Sequence, residues 1–478
     1  MMFSFCIRVS VASILFYVLS VCEIFGQTSD TVKTLNAEQV LQIVRKYHPV
    51  VKQTDIHIDK SRADLLVARG GFDPVVGAYV AKKTFDGTNY YKQTSPELSI
   101  PTWFGVEIHT GLENLTGNRT DPTLTKGQSS YVGVTVPLAK NLLMDKRRAF
   151  LKQARIFNTM AVAEQRAIVN DLLMDGMDAY WLWVRAYQTY KIVGDNVEIN
   201  QRRLELVKKS FVNGERPAID TVEALTQLQS FRFRQNEKRV EFQNAGLRLS
   251  AYLWRDNDEP YLLPEAVIPQ SEWENEMVIQ NFQTDLNGLL GIAAASHPEL
   301  QLYDFKLDAL QIDRKLKFQS LLPKADFTYN HLSKGYNVIS NEFSGLFFNN
   351  NYRYGFKFEL PLRLSEGRGE YRKARLKIEE TSLDLSQKKL AIQIKIKSYH
   401  NEFTALQTQL AIQNANFLSY QQLVRAEEIR FLNGESSLFL INTRESKALE
   451  AQEKLVEIKT KLYKTIYALQ WSAGILVL

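Results

Sequence analysis

The chain has 478 residues, 45% hydrophobic and 23% charged, which is the balance of a folded protein with a buried core and not of a disordered one. Its net charge of +6 is small for that length and spread along the chain. With no Lys/Arg-rich run and no basic helix face interleaved with stacking aromatics, nucleic acid is not the expected partner.

Arg8 precedes an apolar run from Val9 to Val21, followed closely by Cys22, Gly26 and Gln27. The run is too short to span a bilayer but fits a secretory leader, 1–26, cut after Gly26. Lipidation at Cys22 needs a small residue before it, and Val21 is bulky. Both cysteines, Cys6 and Cys22, lie in the leader, so the exported chain is expected to carry no disulfide, thiolate-metal or Cys-nucleophile chemistry. No later segment approaches the apolar length of a membrane-spanning helix, so any membrane span has to be made of strands.

A first unit is read over 27–254. Asn36 caps a helix toward Tyr47, with Gln39 in the reciprocal capping-box position. His48-Pro49 breaks that helix and starts another, which runs to Gly70-Gly71. An extended region, about 72–137, follows from Phe72-Asp73-Pro74 to Pro137. Within it Val132, Val134 and Val136 alternate with Gly133 and Thr135, the period of a strand. Tyr90, Tyr91, Trp103 and Phe104 are candidates for interfacial girdles.

From Ala149 to Asn213 there is no proline, and apolar residues or glycines recur at alternating spacings of three and four. The series Val169, Leu173, Gly176, Tyr180, Trp183, Tyr187 and Tyr190 is a coiled-coil seam. At 1.5 Å per residue such a helix is roughly 95 Å long. Asn213-Gly214-Glu215 ends it in a tight turn, and a shorter helix returns to about Trp254, completing a hairpin over 149–254. The helix from Pro49 to Gly70 has the length to stack end to end on this returning helix. An irregular connector, 255–284, holds three prolines and many acids.

The second unit, 285–478, repeats these landmarks in order. Ser296-His297-Pro298 mirrors Tyr47-His48-Pro49, and Pro323 follows its His at the same distance as Pro74 follows His48. Strands are expected over about 323–361, where Tyr352, Tyr354, Phe356 and Phe358 oppose Arg353, Gly355, Lys357 and Glu359. Phe343, Phe347 and Phe348 are the second unit's girdle candidates. A second long hairpin, 367–471, carries the seam Ile392, Ile396, Tyr399, Phe403, Leu406 and Leu410 and turns at Asn433-Gly434-Glu435. A unit of roughly 220 to 250 residues has been duplicated. Helices this long cannot bury a seam in a compact globule, so they need partner helices from the other unit and from other copies of the chain.

The order, spacing and duplication of these landmarks resemble the TolC-like outer membrane factor family over nearly the whole chain, from about Leu35 to Leu469. The resemblance implies a mixed α and β membrane protein: a homotrimer in which four strands per chain build one twelve-stranded outer membrane β-barrel, continuous with a long periplasmic α-helical barrel. It further implies a passive exit duct of a tripartite efflux or type I secretion system, set in outer membrane lipid. Its partners would be a periplasmic adaptor protein and an inner-membrane transporter of RND or ABC type. The longer stretch from Pro74 to Pro137 departs from the pattern, with extra strands or a long external loop expected around Pro101-Thr102-Trp103-Phe104-Gly105. Two Asn-x-Thr sequons, at Asn114 and Asn118, lie in the same stretch.

The resemblance places a closed entrance at the helical tips, with acidic residues six and nine positions after the tip glycine. Asp220 and Glu223 match after Gly214, whereas the second unit has Leu440 and Thr443. Threefold rings of these carboxylates would favour cations. As plain helix acids they would instead stabilise a helix N-terminus. The tips Asn213, Gly214, Glu215 and Asn433, Gly434, Glu435 are the expected adaptor-docking points, though helix termination alone also explains the glycines. His48 and His297 each precede a proline with no second ligand at metal spacing, so a structural use is expected and no metal or other cofactor. With no nucleophile motif and no phosphate loop, the chain is not expected to be an enzyme. Two other readings stay open: a periplasmic adaptor, which would have one hairpin beside a small β-domain, and a structural coiled-coil envelope protein, which would not need the alternating strands.

Overall fold

The computed structural model describes residues 34–121, 123–270, 285–336 and 350–477. The leader with both cysteines, the connector beyond residue 270, and Phe343, Phe347 and Phe348 lie outside the described residues.

The helices form a curtain of four columns. A short strand β1 (Thr34–Leu35) leads into helix α1 (Ala37–Tyr47). The Asn36 side chain accepts the Gln39 amide at 2.7 Å, and the Gln39 side chain accepts the Asn36 amide at 3.0 Å. This satisfies two donors that a helix start otherwise leaves open. Helix α2 (Pro49–Gly70) follows at once, then strands β2 (Val75–Phe85), β3 (Thr88–Pro101), β4 (Glu107–Thr116) and β5 (Gly127–Pro137). Helix α3 (Lys146–Val212), 67 residues long, turns into α4 (Ala218–Ser250). Strand β6 (Ile268–Pro269) pairs in parallel with β1 and ties the connector to the start of the first unit.

The second unit runs through α5 (Leu286–Ser296), α6 (Pro298–Phe318), β7 (Lys324–Lys334) and β8 (Tyr352–Glu359) to α7 (Ser365–Leu432), of 68 residues, and α8 (Leu438–Ser472). In each unit the two shorter helices stack into one column. His48, at the start of α2, lies 6.2 Å from the Tyr252 ring and 6.0 Å from that of Trp254, just past the end of α4. At the start of α6, His297 and Pro298 sit against Gly474, just past α8. Side by side the columns run α2/α4, α3, α6/α8, α7.

The seam positions of α3 form the centre of the core. Leu173, Met177 and Trp183 are almost wholly buried, packed with Val44 of α1, Leu249 of α4 and Leu462 of α8. Trp181 stacks on Tyr463 at 4.7 Å. Burial thins toward the tip, where Phe211 is 44% exposed. Helix α7 keeps its inner residues Ile396, Phe403 and Leu406 buried while exposing Leu376, Leu383, Leu390 and Ile394 on the other side. Such an apolar stripe has no partner within the described chain.

The sheet is antiparallel throughout, in the order β2-β3-β4-β5-β7-β8. Among the described residues four strands come from the first unit and two from the second, so the resemblance's four strands per chain are corrected to six in this sheet. The physical reason is an added hairpin. β2 turns at Asp86 and Gly87, both at positive φ, and β3 returns to a second turn at Thr102–Gly105 beside the start of α3. Of the two expectations for the region around Pro101, extra strands are what the chain forms.

Register gives the sheet two unlike faces. One row across it reads Ile100, Ile108, Val134, Tyr329 and Tyr354. The opposite face has Ser99, His109, Gly133, Asn330 and Arg353 in one row, with Glu97 and Glu113 nearby. There the Tyr131 hydroxyl donates to Glu97, and Arg353 pairs with Glu113 at 3.6 Å. With its amide nitrogen donating to His109 Nε2 at 2.6 Å, Asn330 accepts from Arg353 Nη2 at 3.1 Å. One face can meet hydrocarbon and the other needs water.

Glycine lets this polar layer close. A Cβ on Gly133 would lie 2.6 Å from the Tyr329 carbonyl oxygen and 1.9 Å from the side-chain amide of Asn330. Gly133→Ala is therefore expected to destabilise the sheet by about 1–3 kcal/mol through overpacking. Gly369→Ala, with nothing within 4 Å on a helix, should be neutral or mildly stabilising. Thermal unfolding of the two variants in detergent checks this; equal midpoints would refute the packing role.

Candidate channel entrance and membrane sheet

Both long helices end by the same local chemistry. After Asn213 (φ −76°) Gly214 takes φ +78°, and the Glu215 amide reaches back to the Ser210 carbonyl at 2.9 Å. Asn433, Gly434 and Glu435 repeat this, with φ +78° at Gly434 and a 2.8 Å bond to Arg430. The left-handed glycine closes the last carbonyls of each helix and leaves a blunt tip.

Contacts between units then hold the two tips side by side. The Arg216 guanidinium lies 3.7 Å over the Phe431 ring and donates to the Phe431 carbonyl at 2.8 Å. It also pairs with Asp220 at 3.4 Å. Asn442 of α8 donates to Glu223 at 3.3 Å. Deeper in the shaft, buried Arg203 of α3 pairs with Glu445 of α8 and, at 3.3 Å, with Glu428 of α7. Between the tips lies a groove of about 660 Å³ lined by Arg203, Leu206, Arg216, Phe431, Leu432 and Ile441. Val212, Ile219, Leu432 and Phe439 are strongly exposed around it.

The structure thus brings Asp220 and Glu223 to the same end of the molecule as all six tip residues, and both acids are engaged within the chain. Leu440 is exposed at the matching place in α8, and the Thr443 hydroxyl bonds the Phe439 carbonyl at 2.8 Å. Sequence reasoning missed Arg216. Its only local signal was a basic residue four before an acid at a helix start; its contact with Phe431 joins distant parts of the chain.

At the other end, Trp103 and Phe104 are 70% and 66% exposed at the helix-side turn of the sheet. Tyr90 lies at the far end, with Lys83 and Arg119 each 5.0 Å from its ring. The aromatics therefore sit at the two limits of the apolar face, where amphipathic rings suit a membrane boundary. Among the described residues no helix is long and apolar enough to cross a membrane.

His48 and His297 serve as helix caps. Nδ1 of His48 accepts the Val50 amide at 3.2 Å, and Nδ1 of His297 accepts the Glu299 amide at 3.2 Å. Burial holds both imidazoles below their ordinary pKa, with Lys388 and Lys395 adding to the effect at His297 against the opposing pull of Glu299. Among the described residues no cluster of three or more His, Cys, Asp or Glu side chains could hold a metal ion.

No protein-family model matches the sequence, and no curated protein matches it. The folded chain, by contrast, matches solved outer membrane channels over nearly its whole length. The Campylobacter jejuni CmeC outer membrane channel aligns with a TM-score of 0.63 at 14% identity, covering 92% of this chain and 85% of that one. The Vibrio cholerae outer membrane protein VceC gives 0.62 at 14% identity over 92% and 96%. The open state of the Neisseria gonorrhoeae MtrE outer membrane channel gives 0.61 at 11% identity over 94% and 93%.

The caps set a pH dependence. Because the folded pKa values lie below the ordinary 6.5, the unfolded chain binds more protons between the two values. Stability from these caps is complete above 6.5 and falls as pH drops through the folded values. Asn at both positions keeps a capping acceptor that does not titrate. The His48→Asn, His297→Asn variant should unfold with a flatter pH profile below pH 6.5, each lost cap being worth about 0.5–2 kcal/mol in the parent. Parallel profiles for variant and parent would exclude this role.

Proposed function

We propose that this chain, which has the TolC-like outer membrane factor fold, is one subunit of a passive trimeric exit duct. The sheet sits in an outer membrane and the helical shaft in the periplasm. One observation carries the reading: a sheet with one apolar and one charged face runs directly into helices of 67 and 68 residues, each about 100 Å long. A membrane sheet must close so that no backbone group is left unpaired in hydrocarbon, and six strands ending in two open edges call for further copies. The unpartnered stripe on α7 calls for the same neighbours. The fold shared with CmeC, VceC and MtrE, which are themselves outer membrane proteins, supports the location.

The blunt tips and the groove between them are the proposed docking point for a periplasmic adaptor, which would connect the duct to an inner-membrane RND or ABC transporter for efflux or type I secretion. Exposed Val212, Ile219, Leu432 and Phe439 supply apolar surface for that contact, and tip glycines keep bulk away from it. An adaptor with a single hairpin is disfavoured by two hairpins of near-equal length. A plain coiled-coil envelope protein has no use for a six-stranded amphipathic sheet.

Asp220 and Glu223 are the proposed acidic gate, moderated by Arg216. Heat-modifiable trimers in detergent extracts of outer membrane test the duct, and a soluble periplasmic monomer would sink it. Replacing Asp220 and Glu223 by Ala should reduce cation preference in planar-bilayer recordings. Arg216→Ala, which frees Asp220, should raise it. Unchanged selectivity in both variants would remove the gate proposal while leaving the duct intact.

A further inference from the structure

We propose that three copies close an eighteen-stranded barrel, six strands from each, by pairing β2 of one copy with β8 of the next. The inference rests on the trimeric duct and goes beyond it in naming the contact surface and the width of the bore. A twelve-stranded closure would require the first hairpin, β2-β3, to stand outside the barrel wall.

Four observations place that hairpin in the wall. First, it is paired into the sheet, β2 to β3 from Val75↔Ser99 to Phe85↔Thr88 and β3 to β4 from Lys92↔Thr116 to Pro101↔Glu107 with a gap at Ser95 and Pro96. Second, the division between faces carries on through it. Val76, Ala78, Val80, Leu98 and Ile100 fall on the apolar face, which ends in Thr94 and the Lys82–Lys92 pair, and Gly77, Ser95, Glu97 and Ser99 fall on the polar one beside Val75 and Tyr79. Glu97 reaches the third strand along, accepting the Tyr131 hydroxyl, which passes over Gly111. A hairpin standing outside the wall would have no reason to share the polar layer.

Third, the directions agree. β2 leaves the helical end and β8 returns to it, so a neighbour's β8 laid beside β2 continues the antiparallel alternation. Both are edges among the described residues. Val76 and Val80 are 78% and 67% exposed, and Phe356 and Phe358 are 59% and 57% exposed. An open apolar edge of this kind is a template for another strand.

Fourth, the widths agree. Four helical columns packed 8–10 Å apart span an arc of roughly 32–40 Å per chain. Six strands about 4.8 Å apart and tilted by about 40° span roughly 38 Å, whereas four span roughly 25 Å. Six strands continue the helical curtain without a step in circumference. The helix-side turn fits the same picture: Trp103 lies 6.1 Å from Phe72 at the foot of α2, and Glu107 pairs with Arg147 of α3 at 3.5 Å. The added hairpin is thus seated on its own helices.

Disulfide trapping in the full-length protein tests the contact, and no cysteine lies among the described residues to confuse it. Cys replaces Val76, Ala78 or Val80 on β2, each combined with Cys at Tyr354, Phe356 or Phe358 on β8. A third set pairs Thr110→Cys on β4 with the same β8 positions. Oxidation in intact membranes should give covalent trimers in at least one β2–β8 combination and in none with Thr110, which lies two strands inside the edge, beyond the roughly 7 Å Cα limit of a disulfide. Covalent trimers through Thr110, or trimers that no β2–β8 pair can lock, would overturn the eighteen-stranded closure and leave the duct standing. Absence of any trimer would overturn both. Microscopy of the parent protein gives a second readout that needs no substitution: a backbone diameter near 36 Å across the barrel is expected, and one near 24 Å refutes the proposal.

Discussion

A backbone amide without a partner costs several kcal/mol in hydrocarbon, and at the proposed membrane location this constraint organises the molecule. In water an open strand edge is a hazard that charge or a bulge can blunt. In a membrane it has to be closed by another strand. The chain meets the constraint internally between β2 and β8 and leaves it unmet at the two ends of the sheet. The helices face a milder form of the same problem. Their inner seam is filled by Leu173, Trp183 and Phe403, while Leu383 and Leu390 of α7 face outward and are exposed among the described residues. Both deficits lie on the flanks of one curtain, so the neighbouring copies of the proposed assembly would satisfy them together.

Duplication gives the chain an approximate internal symmetry, and the departures from it have local causes. The capping of α2 by His48 and of α6 by His297 is the same bond twice, because Pro at the first helical position and an acceptor before it are enough to start a helix. The tips likewise repeat to within a degree in φ at glycine. After the tips the units diverge. Arg216 reaches across to Phe431, whereas the second tip has Ser437 capping α8 through its hydroxyl. Among the described residues the first unit alone carries an added hairpin. In the proposed trimer such asymmetry would leave threefold symmetry only, with two unlike tips alternating around the entrance.

What was legible in the sequence follows the range of the interactions. The Asn36–Gln39 capping box, the His-Pro breaks, the Asn-Gly turns and the seam of α3 are all decided within a few residues. The alternation of Val132, Val134 and Val136 against Gly133 and Thr135 was as clear, because the sheet has one apolar and one polar face. The added hairpin was harder to read, although Asp86-Gly87 is a strong hairpin signal. Pro96 hid it, since a proline inside a run argues against a strand. In the sheet Pro96 stands opposite Ala78, and the pairing of β3 with β4 lapses between Thr94 and Glu97. The strand tolerates the missing donor at a local gap. The Arg216–Phe431 contact and the polar layer joining Glu97, Tyr131, Asn330 and Arg353 cross between strands or units, and no spacing rule reaches them.

Along the shaft the kind of packing changes in a way that bears on where the molecule can move. Around α1 and the middle of α3 the core is aromatic and aliphatic, with Trp181 stacked on Tyr463 and Trp183 against Phe242. Toward the tips buried polar groups join a smaller apolar cluster around Leu204, Leu228 and Leu438: Asn200, Arg203, Glu427 and Glu445 are each less than a tenth exposed. Buried ion pairs add little net stability over apolar packing, because desolvation offsets most of their attraction, but they fix which partner lies opposite which. Removing one member leaves its partner charged and buried, so these contacts hold or fail as a group. The aromatic middle resists rearrangement through many small contacts at once. The tip end is held by the bonds of Arg203 and Arg216 together with a small apolar cluster of Leu204, Val207, Leu228 and Leu438, so fewer contacts join the two hairpins there than in the middle of the shaft.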